Sequence, residues 1–160
     1  MGKLRNMASV YLVDDRGILM LYRMGSRIAD KLYVGTAGGH FEEDELNDAR
    51  ACVLREMEEE LGIQESDIQD LKLRYITLRR KNGEIRQNYY FFARFAQKQE
   101  LISNEGKLQW FLYEAVRALP MPASAGFMME HYLTEGRFTQ ELYAGITTEK
   151  GICFEVLHEF

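Results

Sequence analysis

The residues best equipped for chemistry fall in one stretch, Gly38 to Ile63, which reads GGHFEEDELNDARACVLREMEEELGI. In its second half Glu56, Glu59 and Glu60 stand three and four residues apart, so on an α-helix their carboxylates share a stripe. Leu54, Met57 and Leu61 fall on another stripe that can face a core. Like charges at these spacings cost about 0.2–0.5 kcal/mol per pair. A divalent cation would neutralise them, because hard ions such as Mg²⁺ take oxygen ligands, keep several waters and bridge to phosphates. Arg55 can pair with a carboxylate and aim it. Gly62 suits the left-handed cap that ends a helix, with Ile63 packing behind it. A Glu-rich helix is also a common solvated face. The pair Gly38–Gly39 ahead of the helix turns the reading toward metal binding, since two glycines let the backbone approach a ligand and offer carbonyl oxygens.

These residues resemble the Nudix box. Arg55 to Ile63 matches its second half, R-E-U-x-E-E-x-G-U with U a bulky apolar residue, and Gly39 with Glu45 matches its first half, G-x5-E. The spacer from Leu46 to Leu54 is two residues longer than in the family pattern, which reads as a lengthened loop before the helix. Counting back from Arg55, Asp48 falls at the helix N-cap, where Asp serves well. Asn47 then falls where the family's Glu would sit, and whether Glu45 reaches the site stays open. The resemblance implies an α/β (α+β) fold, an α/β/α sandwich with a mixed central sheet. It implies that Glu56, Glu59 and Glu60 bind Mg²⁺ or Mn²⁺ with the Gly38 carbonyl, that Glu56 and Glu59 are catalytic, and that Arg55 orients the carboxylates. Glu56 is a ligand or the general base, and the two roles are not separated.

The elements that must position this stretch follow from pattern. Met7 to Val13 and Ile18 to Arg23 read as a hairpin about the turn Asp14–Gly17. Leu32 to Ala37 reads as a strand delivering the glycines. Lys72 to Arg80 and Ile85 to Ala96 read as strands joined through Asn82–Gly83, a strong hairpin signal. Tyr113 to Leu119 and Ala123 to Thr134 read as helices. Leu142 to Ile146 and Ile152 to Leu157 read as a C-terminal β-hairpin beyond the common Nudix core, able to cover a cleft or to form a dimer contact. The whole reads as one domain over residues 1–160, with 140–160 as the extension.

Several residues outside the box carry two readings. Arg23 is a substrate-binding cation or a solvated strand end. Asn88, beside the aromatic run Tyr89–Phe92, reads a nucleobase edge or lies on a solvated strand. Arg79, Arg80 and Lys81 confer solubility or steer an anion. Glu105, with Glu100 behind it, completes the metal site, as the resemblance implies, or is an exposed loop acid ahead of Trp110. Phe127 stacks on a base or packs in the core. Cys52 reads as a core residue, which argues against an isomerase that would need a catalytic Cys.

Composition bounds the partners. A net charge of −5 over 160 residues argues against a nucleic-acid polymer and leaves a small nucleotide open, since a bound metal reverses the local sign. Cys52 and Cys153 are too few for a disulfide framework, which suggests a reducing, cytoplasmic setting. No apolar run approaches membrane-spanning length and Met1 to Arg5 does not begin a signal peptide, so no membrane partner is expected. His40, His131 and His158 show no zinc-ligand spacing.

By the resemblance the chain is a Nudix pyrophosphohydrolase of the MutT-like branch. It is expected to cleave a nucleoside diphosphate linked to X. The first expectation is a nucleoside triphosphate, including 8-oxo-dGTP, cut to monophosphate and pyrophosphate. ADP-ribose or another nucleotide sugar, or a silent nucleotide-binding domain, are the alternatives.

Overall fold

The computed structural model describes residues 2–25 and 30–160. β1 (Lys3–Asp14) and β2 (Gly17–Arg23) pair antiparallel with Leu12 opposite Leu19. Side chains alternate along β1, so Ala8, Val10 and Leu12 enter one core cluster while Tyr11 enters another on the opposite face. Gly17 has φ 120°, and a Cβ there would lie 1.9 Å from the Phe111 carbonyl oxygen, so only glycine closes this turn.

The expected strand from Leu32 to Ala37 is two strands. β3 (Leu32–Val34) pairs with β2, and β4 (Ala37–His40) pairs with the first half of β1. The break falls at Gly35–Thr36, where β1 and β2 diverge. The buried Thr36 hydroxyl accepts from the Leu12 N–H at 3.0 Å and donates to the Leu19 carbonyl at 2.6 Å. Its side chain bridges the fork, so the chain can cross from one strand to the other without leaving those backbone groups unpaired.

α1 (Ala49–Leu61) begins where expected, with the Asp48 side chain accepting from the Ala51 N–H at 3.0 Å, and ends at Gly62 in the left-handed conformation with φ 68°. Val53 and Met57 are fully buried against the sheet, and Ile63 packs behind the cap. Each such side chain stabilises the docking by about 1.5–3 kcal/mol. β5 (Gln69–Lys81) and β6 (Glu84–Arg94) form the hairpin that Asn82–Gly83 announces, with φ 51° and 76° at those two residues. β7 (Lys107–Phe111) pairs with β2, followed by α2 (Tyr113–Val116), shorter than expected, and α3 (Ala123–Thr134).

The described strands form one mixed sheet in the order β3-β2-β1-β6-β5-β8-β9, with β4 branching from β1 and β7 from β2. β1 and β6 run parallel, as do β5 and β8. α1 covers one face over the cluster containing Val10, Phe91 and Phe95. α2 and α3 contribute to the cluster on the other face, with Tyr11, Tyr75 and Phe92. The result is the expected α/β/α sandwich. The tail forms β8 (Tyr143–Thr148) and β9 (Gly151–Val156), close to its expected limits, and extends the sheet beside β5. Among the described residues no helix is long and apolar enough to cross a membrane.

Candidate active site and the chain's family

The site begins at Arg55, the second turn of α1. Its Nε and Nη2 donate to the two oxygens of Glu45 at 2.8 and 2.9 Å, its Nη1 to Glu56 at 2.9 Å and Glu59 at 3.1 Å, and its Nη2 also to the His40 carbonyl at 3.1 Å. One guanidinium thus gathers three carboxylates and the end of β4. Glu45 is buried, and the hydrogen bond from Arg55 holds its carboxyl below the ordinary range. The same partners raise the Arg55 pKa further above its already high value.

The long spacer is accommodated locally. Glu43–Glu45 forms a 3₁₀ turn, the Asp48 N–H donates to the Glu45 carbonyl at 2.8 Å, and Leu46 and Asn47 are exposed. Glu45, left open by the spacing, is therefore the acid that meets Arg55, while Asn47 does not turn inward. The sequence offered one signal for this: a carboxylate six residues after Gly39, within reach of a helix that carries an arginine.

The glycine pair makes room for the carboxylates. A Cβ on Gly39 would lie 2.2 Å from Glu56 Oε1, and the Gly38 N–H donates to Glu60 Oε2 at 3.2 Å. Burial pushes the Glu60 pKa up to about 8, with the charges of Glu56 and Glu105 adding to the rise and the Gly38 N–H opposing it. Burial also raises Glu56. Two carboxylates in hydrogen-bonding contact in a half-buried place call for a proton or a cation between them. Their hard oxygen donors suit a divalent ion such as Mg²⁺, with Glu60, Glu56 and the diglycine backbone nearest to hand. Glu59 lies at the exposed rim, turned toward Arg55. Among the described residues no three His, Cys, Asp or Glu side chains already surround a common ion position.

Glu105 reaches the site because its loop is tied to the end of α1. Asn104 donates from its backbone N–H to the Glu60 carbonyl at 3.3 Å and from Nδ2 to the Glu59 carbonyl at 3.1 Å. No sequence signal marked Asn104. Glu105 also accepts from Arg23 at 3.1 Å.

From Glu60 and Gly38 a cleft of about 170 Å³ runs over the α3 face of the sheet. Arg23 lines it near Glu60, Tyr11, Tyr90 and Leu21 give it apolar walls, and Asn88 and Arg79 line its other end. The Nε atoms of Arg23 and Arg79 are both buried without a hydrogen-bond partner among the described residues. Arg79, read from sequence as a solubilising or steering charge, thus joins Arg23 and Asn88 in one cavity.

Phe127 does not. Its ring lies against Gly151 of the C-terminal hairpin, where a Cβ would come within 2.6 Å of it, and α3 instead presents Ser124 and Ala125 to the cleft. The structure therefore places Phe127 beside the hairpin and not among the residues that line the cleft. Cys52 is fully buried, and burial with the nearby Glu45 charge pushes its thiol up to about 12, so it stays a neutral core group.

Comparison with known proteins agrees with this fold. The fold resembles a mutator MutT protein of Bacillus halodurans, 24% identical over 95% of this chain and 97% of that one, with a TM-score of 0.64. It resembles a Nudix hydrolase of Nitrosomonas europaea, 12% identical over 91% and 80% of the two chains, with a TM-score of 0.72. It also resembles a Caenorhabditis elegans Ap4A hydrolase, 15% identical over 80% and 94%, with a TM-score of 0.63. At these identities the likeness is one of fold. No match was found among curated protein sequences. The sequence profile of the NUDIX domain matches residues 3–132, the stretch that carries every box residue and the whole cleft, and so the chain belongs to the NUDIX domain family.

Proposed function

We propose that this Nudix enzyme hydrolyses a nucleoside diphosphate linked to X, with a nucleoside triphosphate cut to monophosphate and pyrophosphate as the leading reaction. The observation that carries the reading is continuity. The half-buried carboxylate of Glu60, with Glu56 beside it, opens directly into the cleft that Asn88 and Arg79 also line. A phosphate chain held at the acidic end would leave its nucleoside to lie across the apolar walls.

Glu56, Glu59, Glu60 and the Gly38 carbonyl would hold Mg²⁺ or Mn²⁺, with Glu105 at the margin. A bound divalent ion supplies charge neutralisation of the diphosphate and a more acidic water. Arg55 fixes the carboxylates by its hydrogen bonds to Glu45, Glu56 and Glu59. Glu56, whose pKa burial raises, is a metal ligand or the base that accepts the proton of the attacking water, and the raised pKa supports the second role. Arg23, bound to Glu105 but with an Nε that has no partner among the described residues, binds a phosphate oxygen. Asn88 reads the base edge.

The substrate follows from profiling with Mg²⁺ or Mn²⁺. Oxidised and canonical dNTPs (8-oxo-dGTP among them), ADP-ribose, a nucleotide sugar and dinucleoside polyphosphates form the panel. Release of pyrophosphate from a dNTP supports the reading. Turnover of ADP-ribose or nucleotide sugars alone replaces the substrate class, and nucleotide binding with no turnover of any member replaces it with a silent binding domain.

A further inference from the structure

Three arginines stand in a row across the cleft face of the sheet. Arg5 on β1 is opposite Arg86 on β6, and Arg86 is opposite Arg79 on β5. Residues directly opposite one another share a face, and like charges so placed are destabilising. The same face continues into the cleft through Asn88, two residues along β6 from Arg86. One acid offsets the row: Glu84 lies 3.7 Å from Arg5 and 3.0 Å from Arg86. Arg79 has no acidic partner among the described residues, and its buried Nε is without a hydrogen bond. A buried donor left unmade is costly. The cost is recovered when an anion fills the place.

That anion is not the diphosphate at the acidic end. Gly38 pairs with Ser9, Ser9 with Tyr90 and Tyr90 with Tyr75, so β5 lies three strands across from β4, roughly 14 Å at the usual strand spacing. Arg79 stands further along β5 still. Arg23 and the box serve one end of the cleft, and Arg79 with its neighbours serves the other.

We propose that the far end of the cleft, at Arg79 and the adjoining Arg86, is a second anion subsite that takes a phosphate carried by the substrate beyond the diphosphate to be cleaved. The proposal rests on the hydrolase reading given above and adds to its substrates nucleoside diphosphate derivatives that carry a further phosphomonoester.

Two matched pairs test it: ADP-ribose with 2′-phospho-ADP-ribose, and dephospho-coenzyme A with coenzyme A. Within each pair the cleaved diphosphate is the same. The expected result is a KM about tenfold lower for the phosphorylated member of at least one pair, equivalent to about 1.4 kcal/mol. Arg79→Gln brings that ratio close to one. Arg80→Gln, one residue along β5 and so on the opposite face, removes the same charge and keeps the ratio. Arg86→Gln reduces the ratio too, and serves if Arg79→Gln does not fold. Equal KM values within both pairs in the wild type overturn the subsite. So does equal loss in the Arg79 and Arg80 variants, which would make the effect one of net charge, and so does a changed base preference with the phosphate preference intact. If no pair is hydrolysed, calorimetry with Ca²⁺ in place of Mg²⁺ separates the two ideas. A binding preference keeps the subsite, and overturns the hydrolase reading only if no member of the substrate panel above is turned over either, whereas equal affinities overturn the subsite.

Discussion

Arg55 and Glu45 form a two-pronged ion pair, Nε to Oε2 at 2.8 Å and Nη2 to Oε1 at 2.9 Å, joining the middle of α1 to the 3₁₀ turn before it. The carboxylate is buried and the guanidinium mostly so, which makes the pair stronger than an exposed one and more costly to break from one side. The same guanidinium also holds Glu56 and Glu59. Position is passed from Glu45 through Arg55 to the groups proposed to hold the metal.

Glu45→Gln is expected to lower stability by about 2 kcal/mol, since a charge-assisted pair is replaced by a neutral one. It is also expected to lower kcat more than it raises KM. Urea unfolding gives the first quantity and steady-state kinetics the second. Unchanged kcat would mean that Arg55 holds its direction without Glu45.

Glu60→Gln is expected to lower turnover by at least about 100-fold, because losing a direct ligand costs no less than losing a group that supports one. In the absence of metal the same variant should be as stable as the wild type or more so above about pH 8, because it removes a half-buried group that would otherwise ionise beside Glu56. Glu59→Gln should likewise reduce turnover by orders of magnitude while the fold stays intact. Near-wild-type rates in both variants would remove the metal assignment.

Gly39→Ala is expected to fold and to lose at least tenfold in activity. The new Cβ would fall 2.2 Å from Glu56 Oε1, so the carboxylate must move off its place. A melting curve close to wild type with reduced affinity for Mn²⁺ is the expected signature. Full activity would show that Glu56 has room to adjust without cost.

The metal-free protein is expected to lose stability as pH rises from about 5 to 8.5. Glu60 is raised from its ordinary 4.5 to about 8 in the folded chain, and Glu56 is raised as well. Between those values the folded state holds more protons than the unfolded one, so stability falls with rising pH. Glu45 acts in the opposite sense. Its lowered pKa gives stability that is fully present above its unfolded value, so its contribution is constant across this range. Melting in EDTA should therefore show a Tm that declines toward pH 8.5, and Mg²⁺ should raise Tm most at the alkaline end. A Tm that is flat in EDTA would contradict the burial of Glu60.

The sequence by itself determined what is local. The stripe of Glu56, Glu59 and Glu60, the Asp48 cap, the Gly62 stop and the Asn82–Gly83 turn all depend on neighbours within a few residues, where helix periodicity and allowed backbone angles decide the outcome. The family follows from the same stretch. The tertiary structure decided what depends on register between distant segments. It placed Glu45 rather than Asn47 against Arg55, tied Glu105 to α1 through Asn104, divided the strand before the glycines at Thr36, and turned Phe127 toward the hairpin. It also brought Arg23, Asn88 and Arg79 from three strands into one cleft. In a sheet one residue of register moves a side chain to the other face, and nothing in a single strand's own pattern records which residue of another strand will lie beside it.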